Sequence, residues 1–153
     1  MQEGKDRSYM QQALALARRA AELGEVPIGA VVVHQDSIIA GAHNRRELDQ
    51  DPTAHAELLA IRQAAAQLGS WRLVGCSLYV TLEPCSMCAG AMILARIERC
   101  VYGAVDPKGG FLGTLGNLGN HPGLNHRFEV VPGVEADQAA ELLRSFFSRL
   151  RSR

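Results

Sequence analysis

Pro84-Cys85-Ser86-Met87-Cys88 is the stretch on which the fold turns, read with His55-Ala56-Glu57 thirty residues earlier. Two thiols and an imidazole are good zinc ligands, and a zinc ion with three protein ligands keeps its fourth position for water. Cys85, Cys88 and His55 fill three corners, which leaves Glu57 free to move protons. Cysteines three apart lie on one helix face. Pro84 suits a helix start, where its missing N–H costs nothing. The strand-like run Leu78-Tyr79-Val80-Thr81-Leu82 leads into it. Cys85 and Cys88 then fall in the first turn, at the positive end of the helix dipole, which favours thiolate over thiol.

His55 and Glu57 are two residues apart, and in mid-helix they would point to nearly opposite sides. At a helix start that restriction lifts. Asp51-Pro52-Thr53 predicts such a start, with Asp51 or Thr53 as the cap and Pro52 in the first turn. Two helix starts would then face each other across one zinc ion. Alone, Cys-x-x-Cys reads equally as a redox pair, half a structural zinc site or packing, and His-x-Glu says little. Each at a helix start, with proline directly before the first cysteine, they favour a catalytic metal over a redox pair.

The 153 residues predict one domain, 1–153, with a sizeable core and no need of staples. Lys+Arg and Asp+Glu both number 16, so the net charge is zero. That excludes a broadly basic, nonspecific nucleic-acid binder but leaves room for a small RNA footprint. Of the four cysteines, Cys76 and Cys100 flank strands and read as buried small hydrophobes. No disulfide framework is implied, and no apolar leader or spanning run is evident, so the expected location is the cytoplasm.

Along the chain, Asp6 to Leu23 reads as an amphipathic helix. Ile28 to Val33 is a β-branched run without clean alternation, the mark of a strand covered on both faces. Gln35-Asp36-Ser37 turns it back into a second strand, Ile38 to Ala42. His43 to Gln50 is a polar loop, and a helix is expected from Thr53 to Leu68, stopping at Gly69. A strand over Ser77 to Leu82, a helix over Cys85 to Ala95 and a strand over Cys100 to Ala104 follow. Residues 105–126, rich in glycine and asparagine, form a long loop of the kind that is usually functional. Arg127 to Val131 reads as a fifth strand and Asp137 to Leu150 as a last helix. The fold class is α/β: a three-layer α-β-α sandwich around a five-stranded mixed sheet.

At this point the chain resembles a family. His-x-Glu followed by Pro-Cys-x-x-Cys is the signature of the zinc deaminases. The chain is similar to the cytidine deaminase-like superfamily, and within it to the tRNA-specific adenosine deaminases. The finer likeness rests on Gly24-Glu25-Val26-Pro27-Ile28-Gly29-Ala30-Val31, Asn44-Arg45 and Asp51-Pro52-Thr53-Ala54-His55-Ala56-Glu57. It continues in Tyr102-Gly103-Ala104-Val105-Asp106-Pro107-Lys108 and His121-Pro122-Gly123-Leu124-Asn125-His126.

The resemblance implies hydrolytic deamination of adenosine to inosine at the wobble position of a tRNA anticodon, in an arginine tRNA, with one Zn2+ per subunit. His55, Cys85 and Cys88 would be the ligands and Glu57 the catalytic proton shuttle. Asn44 would hydrogen-bond the target nucleotide, and Asp106, Lys108 and Asn125 would touch its neighbours or the backbone. Asn44 and Asp106-Pro107 also read as turn residues, and Lys108 and Asn125 as plain surface loop. The tail Arg144 to Arg153 carries four arginines and two phenylalanines, so Phe147 or the arginines would contact RNA. Its bland alternative is a solvated helix end.

The family's homodimer is permitted by Met87, Met92, Ile93 and Leu94, which cover much of one helix's girth. Two other functions remain open: a zinc-dependent deaminase of a free base or nucleoside (cytosine, cytidine or guanine), and a non-catalytic zinc-stabilised RNA-binding module. Glu57 weighs against the second, since structural zinc has no use for it.

Overall fold

A computed structural model describes residues 1–152; Arg153, the last arginine of the basic tail, lies outside them. The first helix, α1 (Gln2–Glu22), starts four residues before the expected Asp6, because the good helix formers Gln2, Glu3 and Lys5 outweigh Gly4 between them. The hairpin follows as β1 (Gly29–His34) and β2 (Ser37–His43). Gln35 and Asp36, at φ 50° and 61°, form the left-handed pair whose twist suits a two-residue hairpin loop. Gly29 passes so close to α1 that a Cβ there would lie 2.0 Å from the Ala13 carbonyl oxygen.

The polar loop expected at 43–50 contains a short helix, α2 (Arg46–Asp49). The helix expected from Thr53, α3, runs Ala56–Leu68. Asp51 does not cap it. Asp51 Oδ1 accepts from the Thr53 backbone N–H (2.8 Å) and hydroxyl (2.7 Å), closing a separate turn before the helix. Then come β3 (Cys76–Leu82), α4 (Ser86–Ala95) and β4 (Arg99–Ala104). The long segment after β4 holds one 3-10 turn, Leu118–Asn120, before β5 (Glu129–Val131) and α5 (Ala136–Arg151).

The sheet order is β2-β1-β3-β4-β5. β1 is antiparallel to both β2 and β3, and β3, β4 and β5 are parallel. β2 and β3 therefore run the same way and finish at the same end of the sheet, where α4 follows β3 directly and α3 follows β2 by way of α2. Side chains alternate as a doubly covered sheet requires. Val31, Val33, Tyr79 and Val101 pack with α1 and with Ala139 of α5. Ala30, Val32, Leu78, Val80 and Cys100 pack with α3 and α4. Cys76 and Cys100 are fully buried, as expected of small apolar residues. No described helix is long and apolar enough to cross a membrane.

One polar cluster ties α1 to the sheet. Asp6 is 3% exposed and accepts from both terminal nitrogens of Arg99 (2.8 and 2.6 Å), the Tyr79 hydroxyl (2.6 Å) and Gln2 (2.9 Å). Burial alone would raise its pKa, but the bonds from Arg99, Tyr79 and Gln2 outweigh it and hold the carboxyl below its usual range. A folded-state value below the unfolded one, near about 3.9, gives stabilisation that is complete at neutral pH and lost as pH falls through the folded value. Asp6→Asn should cost about 2 kcal/mol in urea unfolding at pH 7, and the gap to wild type should shrink toward pH 3.

Candidate active site

The two helix starts meet. His55 is the residue before α3 and has an extended backbone, φ −78° and ψ 149°. Its side-chain direction is therefore not set by the rotation of the helix, which is how it can share a site with Glu57 in the first turn. Cys85 stands in the same position before α4, at φ −76° and ψ 176°, and Cys88 lies one turn on. His55 Nδ1 is 3.7 Å from Cys85 Sγ and 3.5 Å from Cys88 Sγ. All three donor atoms lie within 4.8 Å of one another, and the group could hold a metal ion. Tetrahedral zinc, with bonds of about 2.0 Å to nitrogen and 2.3 Å to sulfur, needs a nitrogen–sulfur separation of about 3.6 Å. The donors fit that requirement.

The electrostatics suit a cation. The Cys85 thiol is pushed down to about 3, chiefly because it accepts the Cys88 thiol's hydrogen bond, with His55 adding to the effect against burial. Cys88 is raised by that same contact, by burial and by the Glu57 carboxylate. His55 is raised, first by its bond to Cys85. Glu57 is 4% exposed, and burial pushes its carboxyl up to about 7.

A cavity of about 250 Å³ opens onto this group. It is lined by His55, Glu57 and Cys85, and also by Asn44, Asp106 and Phe147 from three separate segments. Three of the five expected substrate contacts thus border one cavity. Lys108 and Asn125 are exposed and do not line it. Asn44 is buried, with Nδ2 donating to the Val26 carbonyl (3.3 Å) and Oδ1 accepting from the Arg46 backbone N–H (3.2 Å). Of the adjacent phenylalanines, Phe146 is buried and Phe147 is turned out toward the cavity, ring edge to face at 5.4 Å.

Sequence reasoning missed Arg46, Val26, Ile28 and Glu83, which also line the cavity. Arg46 stands beside Asn44-Arg45, and Glu83 directly precedes Pro84, so proximity to the motifs was the available signal. Glu83 is 2% exposed. Burial would raise its pKa, but the Thr114 hydroxyl and the backbone N–H groups of Asp106, Thr114 and Leu112 hold it below the usual carboxylate range. Glu25, also buried, accepts from the N–H groups of Glu47 (3.2 Å) and Leu48 (2.6 Å) in α2.

Fold and site together define a deaminase. A family model described as MafB19-like deaminase matches residues 4–151. The tRNA-specific adenosine deaminase of Bacillus subtilis (strain 168) is 53% identical over 149 residues, 97% of this chain and 92% of its own length. A structure from a study of A-to-I editing by tRNA:A34 deaminases at the wobble position superimposes with a TM-score of 0.86. It is 47% identical and covers 89% of this chain and 99% of that one. A guanine deaminase from Nitrosomonas europaea shares the architecture at TM-score 0.77 but is only 29% identical, over 93% of this chain and 84% of its own. The chain belongs to the tRNA-specific adenosine deaminases.

Removing the imidazole should break the donor group without unfolding the chain, because His55 precedes α3 rather than packing within it. His55→Ala is expected to keep its far-UV circular dichroism and to lose metal to a chelator under conditions where wild type retains one ion per chain, measured by atomic absorption.

Proposed function

We infer that this chain, as one zinc-dependent deaminase domain, hydrolyses adenosine to inosine at the wobble position of a tRNA anticodon. The observation that carries the reading is a buried carboxylate, Glu57, that faces the cavity beside three metal donors without being needed as a fourth. His55, Cys85 and Cys88 would hold the zinc. Zinc, when bound, lowers the pKa of water toward neutrality and so makes a nucleophile available near pH 7. Water adds at C6 of adenine and ammonia leaves, giving inosine.

Glu57 does the proton work. A carboxyl near neutrality can take a proton from water and give one to ring nitrogen N1, then one to the departing amine. Its burial keeps bulk water from competing for those protons. The first-turn N–H groups of α4 add positive potential near the developing oxygen charge.

The cavity rim suits a base presented from a single-stranded loop, since anticodon bases can be splayed out and read one at a time. Phe147 offers a stacking face at the mouth. Arg144, Arg149 and Arg151 continue from it along an open groove on α5, where they would track phosphates. Lys108 and Asn125, outside the cavity, would meet flanking nucleotides. Leu94 on α4 is 71% exposed although its neighbours Met92 and Ile93 are buried, which supports a second copy covering that helix in a homodimer. Unbridged cysteines suit the reducing cytoplasm, where tRNA is found.

Purified protein with zinc should release ammonia from an arginine-tRNA anticodon stem-loop carrying adenosine at the wobble position, and not at a comparable rate from free cytidine or guanine. Equal turnover of a free base would contradict the tRNA reading. Glu57→Ala should lower the stem-loop rate at least about a hundredfold while zinc content stays unchanged. Phe147→Ala should raise KM for the stem-loop severalfold and leave zinc content alone.

A further inference from the structure

The loop after β4 has no regular structure over most of its length, yet its first part is firmly held, and one side chain holds it. Glu83 Oε1 accepts the Asp106 backbone N–H (3.0 Å), and Oε2 accepts those of Leu112 (3.1 Å) and Thr114 (3.0 Å). The Thr114 hydroxyl donates to Oε1 as well. Next to it, the Phe111 N–H donates to the Pro84 carbonyl at 2.9 Å. The carboxylate thus gathers both ends of residues 106–114 onto the residue that leads into Pro84-Cys85. The fit leaves no slack: a Cβ on Gly110 would stand 2.2 Å from the Glu83 carboxyl carbon.

A carboxylate accepts four such bonds because it has two oxygens and no donor of its own. An amide in its place presents an N–H2 to one set of N–H donors and repels them. A backbone segment with several N–H groups turned inward has no other way to satisfy them away from water. Glu83 is also buried at the wall of the catalytic cavity, where Asp106 forms the rim.

We propose that Glu83 is a positioning residue that sets substrate affinity: it fixes the 106–114 rim, Asp106 included, against the start of the metal-binding helix. It acts on how RNA is seated and not on proton transfer, which belongs to Glu57. The proposal rests on the tRNA-deaminase reading above.

The test compares wild type with Glu83→Gln, both zinc-loaded, on an anticodon stem-loop RNA. Glu83→Gln should raise KM at least about tenfold while kcat stays within about threefold and zinc content is unchanged. The backbone amide resonances of Asp106, Leu112 and Thr114 should move in the nitrogen–proton spectrum. A merely structural role would lower thermal stability and the active fraction, reducing kcat at unchanged KM, and that result overturns the proposal. Should Glu83→Gln fold poorly, Gly110→Ala puts a methyl group against the same carboxylate from the loop side. It should reproduce the rise in KM, and an unchanged KM there also overturns the proposal. If wild type itself does not deaminate the stem-loop, the functional reading fails first, and that outcome is distinct from an active wild type whose KM neither variant changes.

Discussion

Everything at the site depends on two helices starting at the same end of one sheet. β2 and β3 share a direction only because both are antiparallel to the β1 strand between them. β3 leads straight into α4, and the chain after β2 passes through α2 and the Asp51 turn before α3 starts, so that two helix N-termini come together. Such a concentration of positive potential favours thiolate and would be costly to leave without anionic partners. Cys85 and His55, each the last extended residue before its helix, place their donors in that space. The sheet topology thus comes before the chemistry: a different strand order would separate the donors whatever the motifs said.

The buried carboxylates divide the labour. Burial raises Glu57 to about 7, which suits the proton-transfer role proposed for it. Glu83 accepts three backbone N–H bonds and Glu25 two. They fasten the short helix α2 and the 106–114 loop, each of which borders the cavity through Arg46 or Asp106. Burial is similar in all three. Burial raises the Glu57 carboxyl, whereas the Thr114 hydroxyl and the backbone N–H groups of Asp106, Thr114 and Leu112 hold that of Glu83 below its usual range.

That His55, Cys85 and Cys88 come together as a group able to hold a metal ion was legible in the sequence, because the chemistry demands residue types that are rare together, at spacings with one sensible geometry. The strands were legible because β-branched runs such as Ala30 to Val33 have few alternatives. The start of α3 was misjudged because Asp51-Pro52-Thr53 offers good capping chemistry, and a turn consumed it. The short helix α2 escaped notice because Arg46–Asp49 has no buried residue and so no apolar signature. Glu83 and Glu25 escaped for another reason: a carboxylate that binds backbone N–H groups far away in sequence leaves no mark in composition or periodicity.

The most direct measurement of the central geometry is X-ray absorption at the zinc edge of the zinc-loaded protein. Convergence of the two helix starts on one ion requires a first shell of two sulfurs at about 2.3 Å and lighter nitrogen or oxygen atoms at about 2.0 Å, with imidazole scattering beyond. A shell of four sulfurs, or one without sulfur, would contradict it.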